Sequence, residues 1–380
     1  MEIYFKEEHE IFRKTIQSFI EKEILPLVDE AEEKEKFPVE LFPKMGSQGF
    51  LCIRVPKTYG GRDGDKIMEC IAIEELTKGS SGITSAFTTH GGLATDPILR
   101  FGSEDQKQRY LVPAVKGEKI GAFGLTEPDA GSDAASLRAT AEKRLGGYLI
   151  NGTKTFITNG PICHYVIVAA YTDVTKKGSG INLFIVDREN PGFSVVKKLT
   201  KLGHRSTETG ELSFDDCWVP KEQMIGDQEG GGFNQIEYTL RSGRISTGAR
   251  CIGLARSILE ESMYYVRNAK KQGRMVGRSQ SVRFSLAEMA MYLDVMKAIT
   301  YRCAWLYDCG KVTMKDAAIV KLFCTETLCK MAYDGLRLQG GEAYLNSNLM
   351  QRLLRDSRLH RIPEGTSEIQ HLLIFNELGI

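Results

Sequence analysis

The sequence predicts an α+β fold in three consecutive parts, an all-α domain over residues 1–116, a middle antiparallel β-domain over 117–225 and a C-terminal helical domain over 226–380. Three observations carry this. Apolar residues recur at helical spacing before Gly117. Short β-branched and aromatic runs, punctuated by Gly-Gly and Asn-Gly pairs, follow it. Long stretches of helical period return after Glu229-Gly-Gly-Gly232.

In the first part, Ile11, Phe12, Ile16, Phe19, Ile20 and Ile24 place one apolar face on an amphipathic helix running from residue 6 to about 35. Pro38 opens a second helical segment through Met45, ended by Gly46 and Gly49, and Ile67 to Lys78 reads as a third. In the middle part the strand signals are Tyr148–Ile150, Thr155–Thr158, Tyr165–Ala169, Ile181–Val186 and Phe193–Val196. Gly146-Gly147, Asn151-Gly152 and Asn159-Gly160 read as turns between or beside them, and Thr175–Gly180 as an exposed hairpin tip. In the last part, helices are expected near 233–270, 281–309 and 313–338, with a shorter one after Thr366.

Composition narrows the function classes. Fifty Lys and Arg balance 49 Asp and Glu, so the overall field favours neither nucleic acid nor an acidic membrane. The nine cysteines are scattered without a Cys-x-x-Cys pair, which suggests reduced, mostly buried thiols and no metal site. The charged amino terminus lacks the pattern of a secretory signal, and no apolar run approaches the roughly 20 residues of a membrane span. A soluble, cytoplasmic enzyme acting on a small molecule is expected.

Three segments carry candidate chemistry. In Phe123-Gly-Leu-Thr-Glu-Pro-Asp-Ala-Gly-Ser-Asp133 a strand ends in a turn whose amides and hydroxyls can hold a carbonyl-rich or anionic ligand. In Asn151–Gly160, Phe156 and Thr158 are two apart and point to one face of a strand, where a flat ring can lie. In Arg361-Ile-Pro-Glu-Gly-Thr-Ser-Glu-Ile-Gln370, Thr366 or Ser367 is placed to cap the final helix, and Gly365 permits a close backbone approach. Glu364 stands just outside that helix, between a proline and a glycine, and projects toward a cavity. Burial there would make it a stronger base, suited to taking a weakly acidic proton.

Together these segments, in this order and at these separations, make the whole chain resemble the acyl-CoA dehydrogenase family. Phe101-Gly-Ser-Glu-Asp-Gln-Lys107, Tyr110-Leu-Val-Pro113, Lys201-Leu-Gly203, Val219-Pro220, Arg244 and Leu338-Gln-Gly-Gly341 match as well. The resemblance implies a helical domain, a β-domain and a four-helix bundle, with FAD between β-domain and bundle and touching a neighbouring copy in an oligomer, usually a tetramer. It implies cofactor contacts for Phe123, Leu125, Thr126, Gly131, Ser132, Phe156, Thr158, Gln280, Gly340, Gly341, Thr366 and Glu368. For the substrate it implies Ser132, Arg241, Arg244 and Gly365, with Arg244 serving either the CoA nucleotide or the pocket. Glu364 becomes the base that takes the α-proton of an acyl-CoA while a hydride leaves the β-carbon, and its own amide helps hold the thioester oxygen. Electron-transferring flavoprotein is the implied electron acceptor. Family members that carry the base on a bundle helix place it one residue before the arginine matching Arg244; here that residue is Gly243, which favours Glu364.

The chain also departs from the family pattern. Phe156 stands for a usual tryptophan, Asp129 for a glycine and Pro363 for a frequent tyrosine, the last reshaping the surroundings of the base. An FAD-contacting arginine aligns with Ala269, while Arg337 occupies the place of a usual glutamine, so Arg337 is expected to restore the lost charge, with Lys270 and Lys271 as rival donors. Phe87, Thr88 and His90 are candidates for substrate recognition; for His90 a satisfied structural role is the stronger expectation, and Asp96 reads as a turn or cap residue. The function expected is α,β-dehydrogenation of a short, branched or cyclic acyl-CoA. Enoyl-CoA reduction by the same groups, or a family-fold protein that binds CoA or flavin without dehydrogenation, are the alternatives.

Overall fold

A computed structural model describes residues 4–379 except Gln272; of Lys271 only the backbone is described. The amino-terminal helices are α1 (Glu7–Phe19), α2 (Val28–Glu33), α3 (Leu41–Ser47), α4 (Lys66–Gly79), α5 (Ser81–Thr88), α6 (Asp96–Phe101), α7 (Glu104–Gln106) and α8 (Val112–Val115). The expected single helix over 6–35 is interrupted: wider and tighter turns occupy Ile20–Ile24 and Leu25–Leu27, where Pro26 cannot donate to the ladder. Its apolar face is otherwise as read, with Phe12, Ile16, Ile20 and Ile24 buried, although Ile11 is exposed.

The middle of the chain forms β1 (Gly121–Gly124), β2 (Thr140–Arg144), β3 (Gly147–Thr158), β4 (Tyr165–Tyr171), β5 (Ile181–Asp187), β6 (Phe193–Lys198) and β7 (Thr209–Pro220). They make one seven-stranded sheet in which β1, β4, β2, β3, β7 and β6 follow in order and β5 pairs with β4. Most pairings are antiparallel; β1 runs parallel to β4, and β2 meets β4 in a single parallel pair. Asn151-Gly152, read as a turn, lies inside β3, where the register with β7 shifts between Ile150 and Gly152. Such a bulge bends a strand without ending it. Strands β2 and β7 escaped the sequence reading because their charged residues, Glu142, Lys143, Arg144, Asp215 and Asp216, face solvent and dilute the β-branched signal.

The carboxyl-terminal part holds α9 (Gly232–Asn268), a small hairpin of β8 (Lys270–Lys271) and β9 (Arg274–Met275), then α10 (Gln280–Asp308), α11 (Met314–Gln339), α12 (Leu349–Leu359) and α13 (Ser367–Asn376). Helix α9 packs on α4, α10, α11 and α12, and so joins the bundle to the amino-terminal helices. Charge reinforces that joint. Arg13 of α1 and Arg256 of α9 both reach the buried Glu74 and Glu75 of α4, and Tyr301 of α10 donates to Glu74. All nine cysteines are unpaired, and only Cys309 is exposed.

Candidate active site

The loop that carries Glu364 is fastened from several sides. Lys321, fully buried on α11, donates to the Arg361 carbonyl at 3.2 Å. Arg361 pairs with Glu326 of the same helix at 2.6 Å. Arg244 of α9 donates through Nε to the Glu364 carbonyl at 3.1 Å, and Gln370 of α13 donates to the Gly365 carbonyl at 2.8 Å. Burial depresses the Lys321 ammonium to about 8, against the opposing pull of Glu364. Held this way, Glu364 sits at φ 59°, a left-handed conformation uncommon for a residue with a side chain, and Gly365 follows at φ 93°.

This backbone turns the glutamate side chain inward, leaving it only 7% exposed. Its Oε1 pairs with Arg250 of α9 at 2.5 Å, and Arg250 also donates to Thr247 Oγ1 at 2.7 Å. Oε2 is buried and has no hydrogen-bond partner. Thr88, Gly92, Thr239, Ser242, Ser246 and Arg250 line the small cavity that Glu364 faces. Gly243 lies directly against the carboxylate, and a Cβ there would overlap Oε2. Gly243, Thr247 and Arg250 fall on one face of α9, three and four residues apart. Arg250 was missed in the sequence because nothing short of this helical spacing, counted from Gly243, marks it as a partner of a residue 114 positions away.

The turn after β1 has its own anchor. Glu127 is buried and accepts from the amides of Arg138 at 2.6 Å and Ala139 at 3.0 Å, and from the Lys154 ammonium at 2.7 Å. Lys154 also reaches the Leu125 carbonyl at 3.2 Å. One carboxylate thus closes the loop 127–139 and ties it to β3, at the expense of the Lys154 ammonium, which burial lowers to about 8. Above this anchor Leu125 and Thr126 are half-buried and Phe123 is buried, while Gly131 and Ser132 are exposed. Phe156 is 70% exposed and stands at φ 59° where β3 bulges away from β7 between Lys154 and Ile157. Thr158, beyond the buried Ile157, is half-buried.

Other expected residues fall elsewhere. Arg337 is 61% exposed, pairs with Asp334 at 3.3 Å, and lines a surface groove with Arg274, Arg278, Ser279 and Ser281, on either side of the exposed Gln280. Gly340 is half-buried and Gly341 exposed beyond it. None of the β-domain candidates lines that groove, so the expected cofactor residues form two separate sets within one chain. Lys270 is exposed, and the Lys271 side chain lies outside the described residues. Arg244 is buried against the loop that carries Glu364, and Arg241 stacks beside the Tyr238 ring at 5.5 Å.

Thr366 occupies the cap position of α13 without a capping bond from its side chain, and Ser367 donates to Glu326, so neither hydroxyl caps the helix as expected. Glu368 is exposed in the first turn. His90 has both ring nitrogens engaged, Nε2 with the Ala114 carbonyl at 3.0 Å and Nδ1 with the Gly121 amide at 3.1 Å, which is the structural role. Asp96 neither caps nor turns; it is a buried partner of Arg54 at 3.0 Å.

Sequence profiles of three consecutive domains match the chain in order: the acyl-CoA dehydrogenase N-terminal domain over 6–118, the middle domain over 122–217 and the C-terminal domain over 230–379. The chain belongs to the acyl-CoA dehydrogenase family. An acyl-CoA dehydrogenase of Bacillus subtilis is 38% identical over 372 residues, covering 98% of each chain. A caffeyl-CoA reductase-Etf complex subunit of Acetobacterium woodii is 36% identical over 374 residues, again 98% of each. The structure of butyryl-CoA dehydrogenase from Megasphaera elsdenii matches with a TM-score of 0.95 at 35% identity, covering 99% of both chains. The acyl-CoA dehydrogenase fold, with its helical, β and helical-bundle parts, is the one observed.

FAD is the cofactor associated with acyl-CoA dehydrogenases, and the residues here fit a flat, carbonyl-rich ring. An aromatic face is left bare at Phe156, two threonine hydroxyls stand half-buried at 126 and 158, and Glu127 holds the loop between them rigid.

Proposed function

We propose that the chain catalyses FAD-dependent α,β-dehydrogenation of a short, branched or cyclic acyl-CoA, with Glu364 as the base. The observation that carries this reading is the Glu364 side chain itself, buried in a cavity with Oε1 held by Arg250 and Oε2 unpartnered. An immobilised carboxylate with one oxygen free is suited to take a proton from carbon. Arg250 and Arg244 act as positioning residues, one on the carboxylate and one on the carbonyl of the same residue. The Glu364 amide is the donor assigned to the thioester oxygen, where negative charge develops as the α-proton leaves.

FAD, when bound, supplies the hydride acceptor for the β-carbon. Leu125, Thr126, Phe156 and Thr158 would hold its ring, with Phe123, Gly131, Ser132, Thr366 and Glu368 around it. Gln280, Arg337, Gly340 and Gly341 would meet the cofactor of a neighbouring copy in a homotetramer. That assembly is supported by a bare apolar stripe of Phe284, Met291 and Val295 on α10 and by exposed Leu372 and Phe375 on α13. Electron-transferring flavoprotein is the proposed acceptor, in keeping with the Etf complex named for the Acetobacterium relative. No helix among the described residues is long and apolar enough to cross a membrane, which supports a cytoplasmic enzyme.

That same relative is named a reductase, and this favours a second reading in which Glu364 returns the α-proton during reduction of an enoyl-CoA. Anaerobic mixing of the oxidised FAD-loaded protein with saturated thioesters, and of the dithionite-reduced protein with unsaturated ones, separates the directions: flavin absorbance bleaches in the first and returns in the second. Glu364→Gln is expected to retain FAD and lose all bleaching. Bleaching at the wild-type rate in that variant would overturn the assignment of the base, and a preparation that never takes up FAD would leave only a binding protein.

A further inference from the structure

Beside the Glu364 cavity lies a second one, lined by Phe50, Ile73, Leu76, Phe87 and Leu99 and, on its polar side, by Arg54, Glu69 and Asp96. The two meet at Thr88 and Gly92, which line both, and a Cβ added at Gly92 would find nothing within 4 Å. Space therefore continues from the base into the second cavity.

The polar side is a buried ionic cluster. Arg54 donates to Glu69, to Asp96 Oδ1 at 3.0 Å, to Tyr307 at 3.0 Å and to Ser242 at 3.2 Å. Lys66, fully buried, donates to Glu69, Ser242 and Ser246, each at 2.9 Å. Ser242 and Ser246 also line the cavity of the base, so the cluster spans both spaces. Two cations face two carboxylates, and the Arg54 guanidinium already has acceptors on all three nitrogens. An anionic acyl terminus finds no unneutralised positive charge here. What remains open is an acceptor: Asp96 is 2% exposed, lines the cavity, and its Oδ2 has no partner. An unpaired carboxylate oxygen at that depth is costly unless something donates to it.

We infer that the acyl group this site accepts carries a neutral hydrogen-bond donor, a hydroxyl, at its distal end, received by Asp96 Oδ2. This rests on the acyl-CoA reading above and adds the substrate's chemistry to it. A hydroxyl donates without disturbing the charge balance of Arg54, Lys66, Glu69 and Asp96, whereas an ammonium or a carboxylate would upset it. The methylenes between thioester and hydroxyl would cross at Gly92 and rest on the apolar wall.

The test compares matched thioesters on the FAD-loaded wild type: 4-hydroxybutyryl-, 5-hydroxyvaleryl- and 6-hydroxyhexanoyl-CoA, each against its unsubstituted acyl-CoA, with glutaryl-CoA and 5-aminovaleryl-CoA alongside. Flavin bleaching and calorimetric binding are both read. At least one hydroxylated member is expected to exceed its unsubstituted partner by about tenfold to a hundredfold in kcat/KM and in affinity. Asp96→Asn should erase most of that ratio. Gly92→Val, which leaves the ionic cluster in place and blocks the passage, should erase it as well and guards against a folding failure at Asp96. Unsubstituted thioesters equal to or better than every hydroxylated one, a preference for glutaryl- or 5-aminovaleryl-CoA, or a ratio unchanged in both variants would overturn the inference. If no thioester bleaches the flavin, the dehydrogenase reading fails separately, and the affinity ratio still decides the hydroxyl preference.

Discussion

Gly243 on α9 and Glu364 on the loop before α13 occupy complementary space: the glycine has no side chain, and the carboxylate fills the volume a Cβ would take. The acidic residue that some acyl-CoA dehydrogenases carry at that helix position and the loop glutamate cannot both be present in this arrangement. Gly243→Ala is therefore expected to displace Oε2 and lower kcat at least tenfold while FAD content stays at the wild-type level. Helix propensity favours alanine by about 1 kcal/mol, so a melting temperature near wild type is expected with the loss of activity. Unchanged kcat would show that the carboxylate reacts from some other position.

Arg250 and Glu364 form an ion pair with both side chains nearly buried, 8% and 7% exposed. Removing one partner of such a pair typically costs about 3 kcal/mol, because the other charge stays buried alone. Arg250→Met should lower the free energy of unfolding by about that amount in a urea titration, and adding Glu364→Gln should restore at least half of it. No recovery in the double variant would mean that Arg250 contributes through packing and not through Glu364.

Cofactor retention reports on two places at once. Glu127→Gln weakens the closure of the loop through the Arg138 and Ala139 amides and the Lys154 ammonium, so purified protein should hold less than half the wild-type FAD by absorbance. Arg337→Ala tests whether the groove it shares with Arg274 and Arg278 receives cofactor phosphate, and a lower FAD content is again expected. Full occupancy in Arg337→Ala would remove that arginine from the site and leave Glu127 unaffected.

Acid should destabilise the fold through its buried histidines. Burial lowers His90 to about 4 and His204 to about 3, while an unfolded chain titrates near 6.5. Between those values the unfolded state binds a proton that the folded state refuses, so stability falls as pH drops below about 6.5 and the His90 share is exhausted near its folded value. For His90 alone the loss between pH 7 and pH 5 is about 2 kcal/mol. Urea midpoints at those two pH values should converge in His90→Gln relative to wild type; an identical spread would show that His90 does not titrate in this way.

Much of this was legible beforehand, and the reasons differ by element. Helices α9, α10 and α11 are long enough for a 3.6-residue period to outweigh local noise, so their limits agree with the sequence to within about two residues. Strands β2 and β7 were hidden because solvent-facing charges on a half-exposed strand look like loop. Asn151-Gly152 misled because the same dipeptide serves a turn and a bulge, and only the partner strand distinguishes them. At the site, Glu364 could be located from its neighbours in sequence. Arg250, Glu127 as a loop anchor and the Arg54–Asp96 pair were not, since each draws its meaning from a contact far along the chain. The strand around Phe156 was legible, but the bulge between Lys154 and Ile157 and the left-handed backbone of Phe156 were not.

One helix lines the Glu364 cavity and also braces the polar side of its neighbour. Ser242 and Ser246 of α9 brace the ionic cluster, and Gly243, Arg244 and Arg250 of the same helix seat Glu364. A shift of α9 would therefore move Glu364, through Arg244 and Arg250, together with the ionic cluster. Arg54, Glu69 and Asp96 line only the second cavity and touch neither Glu364 nor Arg250, so exchanges there can alter that space while the seat of the carboxylate stays fixed.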